Sequence, residues 1–361
     1  MNKRSELVID VNRIVENYKI FCSSLKQGQK MMAVVKANAY GHGDVQVAKA
    51  LAKVGCTDFG VACVEEAINL RKNGISGTIL VLGYTPASYA KTLYELDIHQ
   101  TVVSKEHLDS LLETGVKIPV HFKIDTGMHR IGFAPNEATE KLIRDNLDKL
   151  SVKGIFTHLC VADDFDRNEF TFGQLDTFKA FAKRIEDLKL PFIHCYNSAG
   201  VMYHNDGFST HLRLGISLYG LKPDWYNVLP EGVLPALEWR AEIGMVKELK
   251  KGDGLGYGLT FTADKDMKIA TVTNGYSDGY PRRLSNLGTV YVNGKKAKVV
   301  GRVCMDQMMI DVTGIDVKMG DIALLLCDKY TADDMAKDIG TIAHEVATQI
   351  TQRVTRTFKE N

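Results

Sequence analysis

The chain has 361 residues, 45% hydrophobic and 25% charged, which is the composition of an ordinary globular protein of about two domains. Its 45 Lys and Arg balance 44 Asp and Glu, so there is no basic excess to attract nucleic acid. No apolar run reaches the roughly 18 residues of a membrane span, and the N-terminus lacks a signal-peptide core. The seven cysteines show no zinc-binding spacing. We therefore expect reduced thiols, a cytoplasmic protein and no metal site.

A strand-then-helix rhythm fills the first part of the chain. Apolar residues at helical spacing between positions 11 and 25 precede the first strand, and Ser104 and Gly115 bound another helical segment. Eight strands alternating with helices predict a parallel (β/α)₈ barrel over residues 10–234, with a doubly wound open sheet as the alternative. The expected strands are 31–35, 59–62, 78–82, 98–103, 120–124, 152–157, 192–196 and 212–216.

The pattern changes at residues 234–235, where alternating strands and tight turns begin. Segments 290–292 and 297–303 flank Asn293-Gly294, the sequence typical of a two-residue hairpin turn. Further strands are expected at 308–312 and 322–326. These features predict a second, mostly β domain over residues 235–361.

Lys36 follows five apolar residues in the segment MMAVVKANAYGHG. It therefore stands at the C-terminal end of the first barrel strand, where the active sites of such barrels lie. Removal from water lowers the pKa of a lysine and frees its amine for Schiff-base chemistry. The alternative is a rim lysine that extends back to water. Tyr40 adds a hydroxyl nearby, and Gly41 and Gly43 let the backbone approach a ligand closely.

Polar residues stand at four other strand ends. A single histidine is usually structural and Asn-Ser is an ordinary helix N-cap, but their repeated occurrence at strand ends favours a binding site. Loops after strands seven and eight often bind phosphate in such barrels, which suits Ser198 and the Gly215–Ile216 backbone. The strand-end residues are Lys123, Asp125, Thr126, Arg130, His158, Asn197, Ser198, Arg213, Gly215 and Ile216.

Two motifs of the predicted β domain also carry candidate groups. Tyr257 lies between two glycines in GDGLGYGLTF, where a tyrosine filling a bulge is the alternative. Met305 and Asp306 end a strand in GRVCMDQMMIDVT, although an aspartate in such a place is often a turn residue.

Together these motifs resemble those of the alanine racemase family. AVVKANAYGHG is similar to the family's pyridoxal-phosphate lysine motif, and KIDTGMHRIGF, FTHL, NSAG, RLGISLYG, GYGLTF, TNGYSDGYPRRLSN and GRVCMDQMMIDVT follow in the family's order. The resemblance spans residues 7–358. It implies a (β/α)₈ barrel followed by a β domain that residues 1–9 join. It also implies a homodimer in which each active site combines one barrel with the partner's β domain.

The resemblance also implies residue roles in the interconversion of L- and D-alanine, which supplies D-alanine for peptidoglycan. Lys36 holds pyridoxal 5'-phosphate, and Tyr257 of the partner subunit is the second base on the opposite face. Arg213 contacts the pyridine nitrogen, and Lys123 matches a lysine that is often carbamylated. The other cofactor-binding positions are Tyr40, His158, Asn197, Ser198, Gly215 and Ile216. The substrate-binding positions are Arg130, Met305 and Asp306.

The sequence departs from the family pattern at two positions. Gln352 stands where many alanine racemases have a tyrosine, and His129 replaces a common glycine. MHR and THLC look like the serine/alanine racemases of vancomycin resistance, which makes a serine or broad-specificity racemase the alternative. Because those proteins carry an N-terminal membrane domain, the chain is expected to be either free-standing or the catalytic part of a longer protein.

Two further functions fit the barrel less well. Tyr257 together with Arg213 argues against a decarboxylase for basic amino acids, which needs no second base of this kind. A non-catalytic pyridoxal-phosphate carrier of the single-barrel type lacks the predicted β domain.

Overall fold

Two units make up residues 4–359, the part of the chain that this computed structural model describes. One unit, here the barrel unit, comprises Val15–Leu218 and Leu229–Val233. The other, here the β unit, comprises residues 4–14, 219–228 and 234–359. Residues 1–3 and 360–361 of the predicted β domain lie outside the described residues.

The first half of the chain alternates strands and helices as the rhythm predicts. Elements up to the end of the barrel are β1 (Ser5–Asp10), α1 (Val11–Cys22), β2 (Lys30–Val34), α2 (Lys36–Tyr40), α3 (Asp44–Lys53), β3 (Asp58–Val61), α4 (Val64–Lys72), β4 (Thr78–Val81), α5 (Ala90–Glu95), β5 (Ile98–Val102), α6 (Lys105–Glu113), β6 (Pro119–Lys123), α7 (Glu137–Arg144), β7 (Ser151–Phe156), α8 (Asn168–Arg184), β8 (Phe192–His194), α9 (Ser198–Tyr203) and β9 (His211–Leu214).

The sheet of the barrel unit is parallel throughout and runs β8-β7-β6-β5-β4-β3-β2-β9. Backbone hydrogen bonds from Thr210 to Ile193 (2.8 Å) and from Arg213 to Tyr196 (3.1 Å) close it at the two end strands. Successive strands are neighbours without any reversal of order. The (β/α)₈ barrel is therefore confirmed, and the doubly wound alternative is excluded because it requires a switch in strand order.

Local signals explain where the barrel helices begin and end. Ser104 caps α6 by accepting a hydrogen bond from the His107 amide, and Gly115 follows the helix with a φ of +67°. Asn197 caps α9 by accepting from the Gly200 amide. Such caps satisfy amides that have no partner within the helix.

The β unit contains nine strands beyond β1 and two helices. Its elements are β10 (Leu237–Leu249), β11 (Gly254–Leu255), β12 (Phe261–Thr262), β13 (Met267–Val272), β14 (Thr289–Val292), β15 (Lys295–Val300), β16 (Met308–Asp311), β17 (Ile322–Leu326), α10 (Ala332–Ile339), α11 (Ala343–Gln349) and β18 (Thr355–Lys359).

The main sheet of this unit runs β13-β16-β15-β14-β17-β10-β1-β18, and β13 also pairs with β10. Six antiparallel strands therefore form a closed ring, and β1 extends it beside β10, as the resemblance implies. The hairpin at Asn293-Gly294 is confirmed between β14 and β15. Both turn residues have positive φ, +48° and +77°, which the short turn requires.

Three segments differ in detail from the expectations. The last barrel strand ends at Leu214, and Ile216–Tyr219 forms a 3₁₀ turn instead of continuing the strand. Strand β15 ends at Val300 because Gly301 takes a φ of +75°. The β unit also carries α10 and α11, of which α10 starts at a reciprocal capping pair formed by Thr331 and Asp334.

Candidate active site

Lys36 lies directly beyond β2, at the end of the barrel where the parallel strands terminate. Burial lowers the pKa of its amine, and the positive charges of Arg130 and Arg213 lower it further. Glu66 opposes them by raising it. The amine stands 5.8 Å from the centre of the Tyr40 ring. This environment favours the neutral, nucleophilic form of the amine.

The backbone after Lys36 makes a left-handed turn. Ala37, Asn38, Ala39 and Tyr40 have φ values of +53°, +54°, +53° and +51°, and none of them is glycine. Left-handed conformation costs about 1–2 kcal/mol for each such residue. Hydrogen bonds from Ala39 N to the Val35 carbonyl (2.8 Å) and from Gly41 N to the Ala37 carbonyl (3.0 Å) hold the turn. Strain of this kind concentrates at functional sites.

Tyr40, Ser198 and Gly215 form a polar cradle at the same end of the barrel. The Ser198 hydroxyl accepts hydrogen bonds from the amides of Gly215 (3.0 Å) and Ser217 (3.4 Å). A Cβ atom on Gly215 would lie 2.9 Å from the Tyr40 hydroxyl and 3.6 Å from the Ser198 hydroxyl. Any larger residue at position 215 would therefore fill the cradle. Ile216 is buried beside it.

Arg213 is buried, and its terminal nitrogens donate to uncharged acceptors. Nη1 donates to His194 Nδ1 (2.8 Å), while Nη2 donates to the carbonyls of Thr157 (2.8 Å) and Cys195 (3.0 Å) and lies 3.3 Å from His158 Nδ1. Burial lowers the pKa of the guanidinium to about 10. The side chain therefore remains a cation at neutral pH and holds a fixed orientation.

A chain of three buried imidazoles continues from Arg213 through the barrel. His194 Nε2 lies 3.2 Å from His121 Nδ1, and His121 Nε2 lies 2.9 Å from His99 Nδ1. Since a guanidinium can only donate, His194 accepts at Nδ1 and carries its proton at Nε2. The same logic places the proton of each following ring at Nε2. Burial lowers the pKa of all three imidazoles, so they are neutral.

His158 follows β7 and is partly buried. Burial, and then the charge of Arg213, hold its pKa well below the ordinary value for histidine. Asn197 uses its side chain to cap α9 and to donate to the Leu159 carbonyl at 3.0 Å. His158 and Asn197 therefore both lie at strand ends, as predicted, and the side chain of Asn197 makes its hydrogen bonds to backbone groups there.

Lys123 ends β6 and is buried, with its amine donating to the Ile124 carbonyl at 2.7 Å. Burial lowers its pKa to about 8, against the opposing effect of Asp125. Asp125 accepts hydrogen bonds at 3.1 Å from the amides of Gly127, Met128 and His129. The same loop carries Arg130. The positive charge of Arg130 lowers the pKa of both Lys36 and Lys123, so these three cationic side chains belong to one group.

Tyr257 is exposed on the β unit, with 71% of its surface accessible. It begins a 3₁₀ turn between Gly256 and Gly258, whose φ values are +71° and +72°. These positive values explain why glycines flank the tyrosine on both sides. The turn thus presents the phenol outward instead of filling a bulge.

Met305 and Asp306 form a second exposed point of the β unit. The Asp306 carboxylate pairs with Arg353 Nη2 at 2.8 Å and accepts from the Ser277 hydroxyl at 3.0 Å. These contacts lower its pKa. Arg353 also donates to the Ser277 hydroxyl, and it follows Gln352, which is exposed. Sequence reasoning did not identify Arg353.

Within residues 4–359, no three side chains among His, Cys, Asp and Glu are grouped as metal ligands. No helix in that range combines the length and apolarity that crossing a bilayer requires.

Three more residues of the barrel unit support the site and were missed from the sequence. Glu66 accepts a hydrogen bond from the left-handed turn. His194 accepts a hydrogen bond from Arg213, and His121 is hydrogen-bonded to His194. His121 and His194 could have been noticed as polar residues inside otherwise apolar strands. Glu66 carries no such signal because it lies in an ordinary helical first turn.

A barrel with a buried lysine at its strand ends, followed by a closed antiparallel β unit, defines a two-part barrel enzyme class. Family models match both parts: the alanine racemase N-terminal domain over residues 9–223 and the C-terminal domain over residues 236–358. The chain belongs to the alanine racemase family, which depends on pyridoxal phosphate.

Individual relatives agree over nearly the whole length. The alanine racemase of Clostridium perfringens is 41% identical, covering 98% of this chain and 95% of the relative. The crystal structure of alanine racemase from E. faecalis superposes with a TM-score of 0.93 at 38% identity, covering 99% and 98% of the two chains. The Bartonella henselae alanine racemase, solved with covalently bound pyridoxal phosphate, has a TM-score of 0.88 at 29% identity, covering 99% and 100%.

Proposed function

We propose that this chain racemises alanine with pyridoxal 5'-phosphate bound covalently to Lys36. The observation that carries the proposal is the partly buried Lys36 amine at the strand ends, whose pKa is lowered by burial and neighbouring cations, in a member of this family. A neutral amine is the form that bonds to the cofactor's carbonyl carbon. The Bartonella henselae relative carries that cofactor covalently, which supports the assignment.

The residues at the strand ends fit this cofactor. The cradle of Tyr40, Ser198 and Gly215 offers two hydroxyl groups where a side chain at position 215 would leave no room. We assign the phosphate to this cradle together with Ile216. We assign the ring nitrogen to Arg213, whose orientation is fixed by His194 and two carbonyls. His158 and Asn197 complete the proposed cofactor-binding set from the ends of neighbouring strands.

Racemisation needs one base on each face of the substrate's α-carbon. When bound, the cofactor supplies the electron sink that acidifies the α-hydrogen. Lys36 removes or returns the proton on one face, and Tyr257 of the partner subunit does so on the other. The exposure of Tyr257 on the β unit supports a role at another chain's site. Arg130, Met305 and Asp306 are the proposed substrate-binding residues, the last two again from the partner.

The proposed setting is the cytoplasm, where D-alanine would enter peptidoglycan synthesis. All seven cysteines are free thiols, which suits a reducing compartment.

Borohydride trapping and isotope exchange test the proposal. Borohydride should fix the cofactor on the peptide that contains Lys36, and L-alanine in D₂O should yield deuterated D-alanine. Tyr257→Phe should keep the cofactor and lose racemisation at least 100-fold, since positioned acid–base groups contribute about 10²–10⁴-fold. Tyr94→Phe, at an exposed tyrosine of α5, is the control and should match the wild type. Label on Lys123 instead of Lys36, or near-normal turnover by Tyr257→Phe, would contradict the proposal.

Mixing inactive variants tests the shared site. Lys36→Ala and Tyr257→Phe chains, unfolded and refolded together, should form mixed dimers with one intact site, restoring about a quarter of the wild-type activity in a random mixture. Recovery does not occur if both bases come from one chain.

Serine is the second candidate substrate, because of Gln352. The side chain of Gln352 is exposed in the turn before β18, next to Arg353. Glutamine is shorter than the tyrosine common in the family and both donates and accepts hydrogen bonds. We propose that this position makes the pocket more tolerant of a hydroxymethyl group.

A further inference from the structure

Glu66 connects the left-handed turn after Lys36 to the neighbouring strand. One carboxylate oxygen accepts a hydrogen bond from the Ala37 amide at 2.6 Å, and the other accepts from the Ala62 amide at 2.7 Å. Ala37 is the residue bonded to Lys36, and Ala62 follows β3 directly. We call this pair of hydrogen bonds the Glu66 bridge.

Only an ionised carboxylate fits both ends of the bridge. Each of its two oxygens accepts, whereas a carboxamide of the same shape has one accepting oxygen and one donating nitrogen. A glutamine at position 66 would therefore point an N–H group at one of the two backbone amides. One of the two backbone amides would therefore lose the acceptor that Glu66 supplies, and with it the hydrogen bond that joins the two segments.

The bridge acts where the backbone needs external support. The four residues from Ala37 to Tyr40 all have left-handed φ values, and such conformations persist only when surrounding contacts hold them. The far end of the turn is held by Asn38, whose side chain accepts from the Asp44 amide at 3.0 Å. At the near end, the side-chain contact to the Ala37 amide comes from Glu66.

We infer that Glu66 is a positioning residue for Lys36, acting by fixing the peptide that joins Lys36 to the left-handed turn. The inference rests on the proposed function in that the Lys36 amine must meet the α-carbon in a set geometry. A displacement of about 1 Å can cost 10²-fold in rate. Glu66 itself is not among the residues proposed to hold the cofactor or the substrate.

The simpler role for Glu66 is stabilisation of α4, since acidic residues in a first turn favour the helix dipole. Glu65 precedes it in the same turn and supplies the same charge. Glu65→Gln is therefore a matched control for charge and helix stability, because Glu65 makes no hydrogen bond to Ala37 or Ala62.

Hydrogen exchange in the holoenzyme tests the bridge directly. In Glu66→Gln, peptides covering Ala37 and Ala62 should exchange at least tenfold faster than in the wild type and in Glu65→Gln. Alanine racemisation by Glu66→Gln should show kcat at least tenfold lower with KM within about threefold, because the loss lies in placing the base and not in binding. Glu65→Gln should keep both constants.

Rescue separates positioning from general stability. Ala37→Gly makes left-handed φ easy at this residue, so the double variant Glu66→Gln/Ala37→Gly should recover at least threefold in kcat over Glu66→Gln. If Glu66→Gln does not fold, Ala37→Gly combined with Glu66→Asp, which shortens the bridge, takes its place with the same expected recovery over Glu66→Asp alone.

Unchanged exchange at Ala37 together with normal kcat in Glu66→Gln would overturn the inference. So would a fall in melting temperature that Glu65→Gln reproduces with the same kinetics. The exchange measurement does not involve turnover. It therefore tests the Glu66 bridge even if the wild type fails to racemise alanine. That second failure would count against the proposed function and not against the bridge.

Discussion

Replacing His99 with phenylalanine should make the barrel unit less sensitive to acid. His99 ends the imidazole chain, and burial lowers its pKa from 6.5 to about 4. Between those two values the unfolded chain binds a proton that the folded protein does not. Stability therefore falls as the pH drops through this window and is fully present above 6.5.

The magnitude follows from the width of the window. One pKa unit corresponds to about 1.4 kcal/mol, so at pH 5 the His99 imidazole costs about 2 kcal/mol of the stability present at pH 8. His121 and His194 act in the same direction because their pKa values are also lowered by burial. The barrel unit as a whole should therefore lose more than that amount, out of the ~5–15 kcal/mol that stabilises a typical domain.

Urea unfolding at pH 8 and pH 5, followed by far-ultraviolet circular dichroism at one protein concentration, measures the effect. His99→Phe should be less stable than the wild type at pH 8, since the His121 N–H loses its acceptor. Between pH 8 and pH 5, however, it should lose about 2 kcal/mol less than the wild type. His129→Asn is the control, because His129 is exposed and asparagine tolerates its left-handed φ of +54°. Equal acid losses in wild type and His99→Phe would refute the reasoning.

Three other substitutions, the last with a matched control, have defined outcomes. Arg213→Glu should let the ring nitrogen keep a proton, which slows racemisation and adds a long-wavelength absorbance band; an unchanged spectrum and rate would show that residue 213 does not reach the ring. Gln352→Tyr should lower kcat/KM for serine relative to alanine by up to about 10²-fold, and a constant ratio would leave alanine as the sole assignment. Gly279→Ala should lower the unfolding free energy by more than ~2 kcal/mol, because Gly279 has a φ of +103° and its Cβ would lie 2.4 Å from the Gln349 carbonyl oxygen. Gly314→Ala, with a φ of +73° and open space around it, should cost only about 1 kcal/mol.

The barrel could be predicted from the sequence because its signals are local. Each strand is a short apolar run in the sequence. Such runs are interrupted or ended by Lys36, His158 and Arg213. The order of parallel neighbours then brings the strand ends together without any further information. The hairpin at Asn293-Gly294 is equally local, since the turn dictates its own two residues.

The left-handed turn after Lys36 could not be predicted in the same way. Ala37, Ala39 and Tyr40 have no intrinsic preference for positive φ, so their conformation is imposed by contacts made from outside the segment. One of these contacts comes from Glu66, which is 29 residues away along the chain. The helix α10 was not predicted either, although Thr331 and Asp334 have the spacing of a capping box, which is a local signal.

The roles assigned to exposed residues depend most on family resemblance. Asp306 carries a negative charge, which would by itself repel a substrate carboxylate. The structure shows that this carboxylate is paired with Arg353 and hydrogen-bonded to Ser277. Its charge is thereby largely offset, which leaves the proposed contact with a carboxylate electrostatically acceptable. The letters of the motif give no sign of this pairing, because Arg353 lies 47 positions later.

The charges at the strand ends give binding and reactivity a common origin. Lys36, Lys123, Arg130 and Arg213 approach one another there, and their mutual repulsion adds to burial in lowering the pKa of both lysines. The same positive potential attracts the two anions that the proposed function requires, a phosphate and a substrate carboxylate. Before an anion arrives, burial and repulsion together favour the neutral, nucleophilic form of the Lys36 amine. Once anions are bound, part of that repulsion is cancelled, so protonation of the amine becomes easier, as the acid and base roles proposed for Lys36 require.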